Sequence, residues 1–218
     1  MSIADTRTVS IVGDGMAGTM LSILLSRRGI PVDLFEKHPD PHSGQRHISL
    51  ASNLALGERA RHALRMTGLL EQVDALSTPM RGRMIHDRSG QVTLQPYGYR
   101  EYETLYSVRR ESLLQCLLYE ASTSRLIQIH YGHTLQEVDW DGCEAVFTVD
   151  GEDGPRRHSF EVLIGADGPV SRVRRSMAQV ADLGVNEKLL DAGYKFLSIP
   201  ALGDGRAKPT GAHLAYLP

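Results

Sequence analysis

Residues 8–36 constrain this chain more than any other stretch. Val9-Ser10-Ile11-Val12 is a short apolar run of the kind buried in parallel sheets. Gly13-Asp14-Gly15-Met16-Ala17-Gly18 follows directly and fits G-x-G-x-x-G. Apolar residues then recur at helical spacing over residues 17–26, with Arg27-Arg28 in the last turn and Gly29 as the stop. After Pro31, Val32-Asp33-Leu34-Phe35 reads as a second strand ending at Glu36.

Each part has a physical use. Gly13 permits the tight turn, Gly15 lets the backbone approach a pyrophosphate, and Gly18 lets helix and strand pack closely. The helix start offers unpaired N–H groups and a positive dipole end. Glu36 stands where a carboxylate accepts both ribose hydroxyls of an adenosine and disfavours a 2′-phosphate, which favours FAD or NAD over NADP at this site. A glycine-rich turn alone would be weak; strand, turn, helix, strand and terminal acid together indicate a dinucleotide site.

The remaining bounds are mild. In 218 residues, 41% are hydrophobic and 23% charged, as in ordinary globular proteins. A net charge of −2 gives no reason to expect nucleic acid or a membrane surface as partner. Two cysteines suggest neither a disulfide framework nor a cysteine metal site. With no signal peptide read at the start and no apolar run of spanning length, a cytoplasmic location is expected. Most histidines sit alone in polar stretches and read as solvated, so no metal is assigned. Nothing marks a serine as nucleophile, and no catalytic side chain is named.

Further along, an amphipathic helix is expected over residues 54–70, a helical turn over 71–76, and a hairpin of strands 80–87 and 91–95. A helix over 111–121 and a strand over 126–131 follow. A second hairpin, 135–140 with 145–149, leads through a polar turn at 151–157 to a strand over 160–164. That strand delivers Gly165-Ala166-Asp167-Gly168 and a helix bearing Arg172, Arg174 and Arg175. On its own, Asp167 fits a diphosphate-binding turn and a helix cap equally well.

With Ser171 and Arg174, Asp167 and Gly168 resemble the Asp-Gly motif of the FAD-dependent aromatic hydroxylases. Other segments carry the resemblance too: residues 80–86, Leu94-Gln95-Pro96-Tyr97-Gly98, Asn53-Leu54-Ala55-Leu56 before Glu58-Arg59, Tyr106-Ser107-Val108 before Arg110-Glu111, and Gly193-Tyr194-Lys195. The branch most resembled acts on an aromatic amino acid, kynurenine or a close analogue, with NADPH or NADH and O2.

The resemblance implies an α/β fold: a Rossmann-like FAD-binding domain (residues 1–79 and 104–180) with a partial antiparallel β-sheet substrate domain (80–103 and 181–218). It implies FAD contacts from Gly13, Gly15, Gly18, Glu36, Arg46, Arg110, Asp167 and Gly168. Arg46 lies thirteen residues before Arg59, a longer spacing than the family's. It also implies that Arg83 and Tyr97 grip the substrate carboxylate, an arginine offering two parallel N–H bonds and a tyrosine a third. The residues alone would leave Arg83 a solvated strand residue and Tyr97 a half-buried turn aromatic. The family's later Gly-Asp-Ala-Ala-His motif has no counterpart here, so about half of a family enzyme is expected. The alternatives are an inactive or partner-dependent nucleotide-binding remnant, a second polypeptide supplying the other half, and, more weakly, an NAD-dependent dehydrogenase.

Overall fold

Val9–Val12 forms strand β1, every residue of which is buried. β2 (Val32–Phe35) and β12 (Val162–Gly165) flank it, and β8 (Ile127–His130) lies beyond β2, giving the all-parallel order β12-β1-β2-β8. The structure, a computed structural model, describes residues 7–43, 53–87, 89–100, 103–188, 191, 193 and 213–216. The chain divides into two compact units, residues 1–49 with 114–188 and residues 50–113 with 189–218.

In the first unit, register decides which side chains face which layer. Ile11 pairs with Leu34 and Val12 with Phe35, so alternate residues point to opposite faces of the sheet. Val12 and Phe35 enter a core with Leu135, Val138, Ala145, Phe147 and Val173. Those partners come from β9 (His133–Asp139), β10 (Glu144–Val149) and helix α5 (Arg172–Val180), which cover that face. On the other face, fully buried Ile11 and Leu34 meet α1 (Met16–Ser26), whose Ile23 is equally buried. Burial of side chains this size stabilises by about 1.5–3 kcal/mol each. α4 (Arg110–Thr123) buries Leu117 and Ala121.

The turn expected at 151–157 is shorter than that, because residues 155–159 form strand β11 (Pro155–Ser159) against β10. As an edge strand with exposed Arg156 and Arg157, it lacks the apolar alternation that announces a strand. Gly151 and Gly154, at φ +80° and +86°, make the turn before it.

The second unit corrects two further expectations. The helix expected over 54–70 begins only at Glu58: β3 (Asn53–Leu56) pairs with β7 (Leu105–Arg109), and α2 (Glu58–Met66) and α3 (Leu70–Ala75) follow. Cross-strand pairing overrides the helical preference of Leu-Ala-Leu here. The strand expected over 80–87 divides at Arg81. β4 (Thr78–Met80) joins β7, while β5 (Gly82–His86) pairs with β6 (Val92–Pro96). The hairpin itself forms as expected, its turn held by Asp87 Oδ1, which accepts from the N–H groups of Ser89 and Gln91 at 2.8 and 2.9 Å. β13 (His213–Tyr216) lies parallel to β5. Arg61 ties α2 to α3 through both oxygens of Asp74 and lies 3.9 Å over the Tyr106 ring.

Candidate functional site

The carboxyl ends of the parallel strands in the first unit build a glycine cradle. Gly13 sits at φ +104°, where a side chain is strained, and a Cβ there would lie 2.5 Å from the Ala166 carbonyl oxygen. At Gly18 a Cβ would lie 2.0 Å from the Gly13 carbonyl oxygen. Gly15 differs: a Cβ there would meet nothing within 4 Å, so the backbone at the start of α1 opens onto free space. The first turn of α1 has no acidic residue and no side-chain cap, leaving its N–H groups for a ligand. Thr19 Oγ1 donates to the Asp14 carbonyl at 2.6 Å and steadies the loop.

Glu36 ends β2 and is buried, 7% exposed. Its Oε2 accepts from the Asp14 N–H at 3.1 Å and its Oε1 from the His38 N–H at 2.9 Å. Two backbone donors thus aim the carboxylate at the loop before α1. The structure brings together Gly13, Gly15, Gly18, Glu36 and the Ala166-Asp167 turn, since β12 runs beside β1.

Asp167 caps α5. Its Oδ1 accepts from Ser171 Oγ at 2.5 Å, and its Oδ2 accepts from the N–H groups of Arg172 at 2.6 Å and Val173 at 3.3 Å. Ser171 Oγ accepts in turn from the Arg174 N–H. Gly168, at φ +82°, has open space where a Cβ would stand. Asp167→Ala is expected to destabilise the first unit by about 1–2 kcal/mol, as loss of a helix cap does. Urea unfolding measures this; an unchanged midpoint would mean that the cap carries no stability.

In the second unit, Arg83 stands exposed on β5 opposite Gln95, and its Nε donates to Gln95 Oε1 at 2.6 Å. Tyr97 is half-buried just past β6, with its N–H on the Arg81 carbonyl at 3.0 Å. Arg110 is exposed at the first position of α4. Arg46, and Tyr194-Lys195 of the Gly-Tyr-Lys segment, lie outside the described residues.

Three features escaped the sequence. Asp14 is an unspecified position of the glycine motif, yet it lies against Glu36. Glu103 organises the turn after Tyr97 by accepting from the N–H groups of Tyr99 and Arg100. The third is a cluster of histidines: His130, His133 and His158 gather half-buried round Phe35, with ring centroids 4.6, 5.8 and 4.7 Å from it. His130 Nε2 lies 3.0 Å from Asp33 Oδ1, and His158 Nε2 lies 3.0 Å from Ser10 Oγ. Burial lowers the pKa of His158. The strand expected over 126–131 could have flagged His130; the convergence of the three rings from separate strands could not be read.

The profile of the FAD binding domain family matches residues 5–193. The chain belongs to that family. Kynurenine 3-monooxygenase of Stenotrophomonas maltophilia is 41% identical over 200 residues, covering 92% of this chain and 44% of that protein. Kynurenine 3-monooxygenase of Xanthomonas oryzae pv. oryzae is 38% identical over all 218 residues and 48% of its own length. The chain thus spans about half the length of the curated relatives it matches.

Among solved structures, p-nitrophenol 4-monooxygenase from Pseudomonas putida superposes with a TM-score of 0.66 at 17% identity, over 78% of this chain and 44% of that one. A probable FAD-dependent monooxygenase from Pseudomonas aeruginosa gives 0.64 at 22%, over 84% and 48%. The α/β fold with a parallel nucleotide-binding sheet is the one these enzymes share.

The chain belongs to an FAD-binding family, and its first unit has features that suit such a ligand. Free N–H groups and an open backbone at Gly15 suit a diphosphate, and a fixed carboxylate at Glu36 suits a ribose.

Proposed function

We propose that this chain holds FAD and an aromatic amino acid, kynurenine or a close analogue, for hydroxylation with NAD(P)H and O2. The observation that supports this is similarity to kynurenine 3-monooxygenase running through both units, over all 218 residues. FAD supplies the redox and oxygen chemistry when bound; the protein supplies binding, orientation and exclusion of water.

In this reading Gly13, Gly15 and Gly18 admit the diphosphate, Glu36 accepts the adenosine ribose hydroxyls, and Arg110, Asp167, Gly168 and Arg46 are further FAD contacts. Arg83 and Tyr97 grip the substrate carboxylate. Gln95 holds Arg83 by its Nε and so orients the guanidinium. Its other nitrogens are the ones that would meet the carboxylate, with the Tyr97 hydroxyl as a third donor.

The second reading is an inactive or partner-dependent nucleotide-binding protein, to which another polypeptide contributes. What favours it is the share of the relatives that the chain spans, 44–48%.

Ligand binding and turnover test the two separately. The FAD-loaded chain is expected to bind kynurenine more tightly than its decarboxylated analogue. Arg83→Lys is expected to erase about 1.5–3 kcal/mol of that preference, because lysine keeps the charge and loses the planar fork. Equal discrimination by wild type and Arg83→Lys in a titration would remove Arg83 from the carboxylate grip. Incubated with FAD, NADPH and kynurenine, the 218-residue chain by itself is expected to give no 3-hydroxykynurenine by mass spectrometry. Product stoichiometric with NADPH consumed would show that the chain suffices and exclude the second reading.

A further inference from the structure

We propose that the three histidines round Phe35 form a proton-operated latch behind the ribose carboxylate, and that a proton taken up at His158 opens the latch and releases FAD. The inference rests on the FAD reading above and adds to it the regulation of that site by pH.

Latch and site share backbone. The Glu36 N–H donates to the His130 carbonyl at 2.9 Å, and the His133 N–H donates to the Glu36 carbonyl at 2.8 Å. The Phe35 carbonyl accepts from the N–H of Gly13, the first glycine of the cradle, at 2.7 Å. The residue that bears the carboxylate is thus held between two members of the cluster. His158 reaches the same rings from β11, where it stands opposite Ala145 of β10.

The charges round His158 are few and already engaged. Asp33 of β2 lies 3.0 Å from His130 Nε2 and 3.9 Å from His158 Nε2. A carboxylate only accepts, so the His130 Nε2–H donates to it. His133 Nδ1–H donates to the Tyr131 carbonyl at 2.8 Å, and its ring centroid lies 5.5 Å from that of His130. β1 and β10 contribute the uncharged Ser10 and Phe147. On β11 itself, Arg156 and Arg157 line a cavity of about 260 Å³ with the three imidazoles, and each is paired with its own glutamate, Glu152 at 2.6 Å and Glu144 at 2.8 Å. Asp33 balances one imidazolium, not two. A charge on His158 therefore competes with His130 for that carboxylate and repels the rings whose backbones hold Glu36.

Burial, opposed by the Asp33 charge, holds His158 below its ordinary 6.5. The packed cluster takes up this proton less readily than an opened one, so its stability is complete above pH 6.5 and is lost as pH falls below it. The cavity gives solvent protons a route to the rings.

Flavin fluorescence titrated from pH 7.5 down to 5.5 tests this. The wild-type Kd is expected to rise about threefold or more, up to roughly the tenfold that one proton excluded from the bound form gives at an ordinary histidine. His158→Gln, whose amide can meet Ser10 as Nε2 does and takes up no proton, is expected to stay within about 1.5-fold over the range. Calorimetry of FAD binding to the wild type at pH 6.0, in two buffers of different ionisation enthalpy, is expected to show proton release. That readout needs no variant to fold.

A flat wild-type profile or binding without proton release would overturn the latch while leaving the FAD site standing. So would a His158→Gln profile as steep as wild type, which would move the proton to His38, 3.7 Å from Glu36 Oε1. Absence of flavin binding at pH 7.5 would overturn the FAD reading and this inference together.

Discussion

Gly18→Ala is expected to destabilise the first unit by about 3 kcal/mol or more, whereas Gly15→Ala, three residues away, is expected to leave it folded and cost flavin affinity. The contrast lies in what each new methyl meets. At Gly18 it would stand 2.0 Å from the Gly13 carbonyl oxygen and 3.2 Å from the Ala166 Cβ. The nearer of these is backbone, which cannot swing aside like the end of a long side chain, so loop and helix must separate. That separation pulls Gly13 off the β12 turn, because Gly13 itself has no room: its Cβ position lies 2.5 Å from the Ala166 oxygen.

At Gly15 the backbone has φ −58° and ψ 172°, which alanine adopts freely, and the methyl would enter open space. The folding cost is expected to stay within about 1 kcal/mol, the difference between Gly and Ala at a helix N-cap. In the function proposed above the diphosphate enters that open space, so the methyl is expected to weaken flavin binding by tenfold or more, about 1.4 kcal/mol. Urea unfolding followed at Trp140, alongside flavin titration, separates the two outcomes. Wild-type flavin affinity in Gly15→Ala would mean that no diphosphate approaches there.

Glu36→Ala is expected to lose on both counts. In the folded chain the carboxylate accepts from the Asp14 and His38 N–H groups, and removing it leaves those donors without their partner at a largely buried site. The expected stability loss is about 1–3 kcal/mol. If Glu36 also accepts the ribose hydroxyls, flavin affinity falls by a further amount of the same order, about 1–3 kcal/mol, measured under conditions where both proteins are folded. Glu36→Gln keeps an acceptor oxygen for one backbone N–H and should fall between. An Ala variant that loses stability but binds FAD as wild type does would reduce Glu36 to a purely structural residue of the turn.

The sequence by itself determined the parts whose causes are local. β1, α1 and β2 follow from an apolar run, a helical repeat and a second run within residues 8–36. Within G-x-G-x-x-G, Gly18 is the glycine whose steric demand comes from a near neighbour in the chain, the Gly13 oxygen. The β5–β6 hairpin was equally legible, since Asp87, Ser89, Gly90 and Gln91 close it on themselves.

Only the tertiary structure decided the rest, where the determining partner is remote. Residues 54–56 look helical until β7 offers Val108 opposite Leu54 and Ser107 opposite Ala55. β11 looks like a polar turn until β10 pairs with it. His158 looks solvated until Ser10, 148 positions away, meets its ring. Asp167 could be read as ligand or as cap, and its hydrogen bonds to Ser171, Arg172 and Val173 appear only once α5 has formed. Asp14 carried no signal at all. Its N–H meets the carboxylate of Glu36, twenty-two positions on, which β2 returns to the loop because it runs parallel to β1. Propensity and spacing act over a few residues, whereas burial and charge depend on what the folded chain brings near.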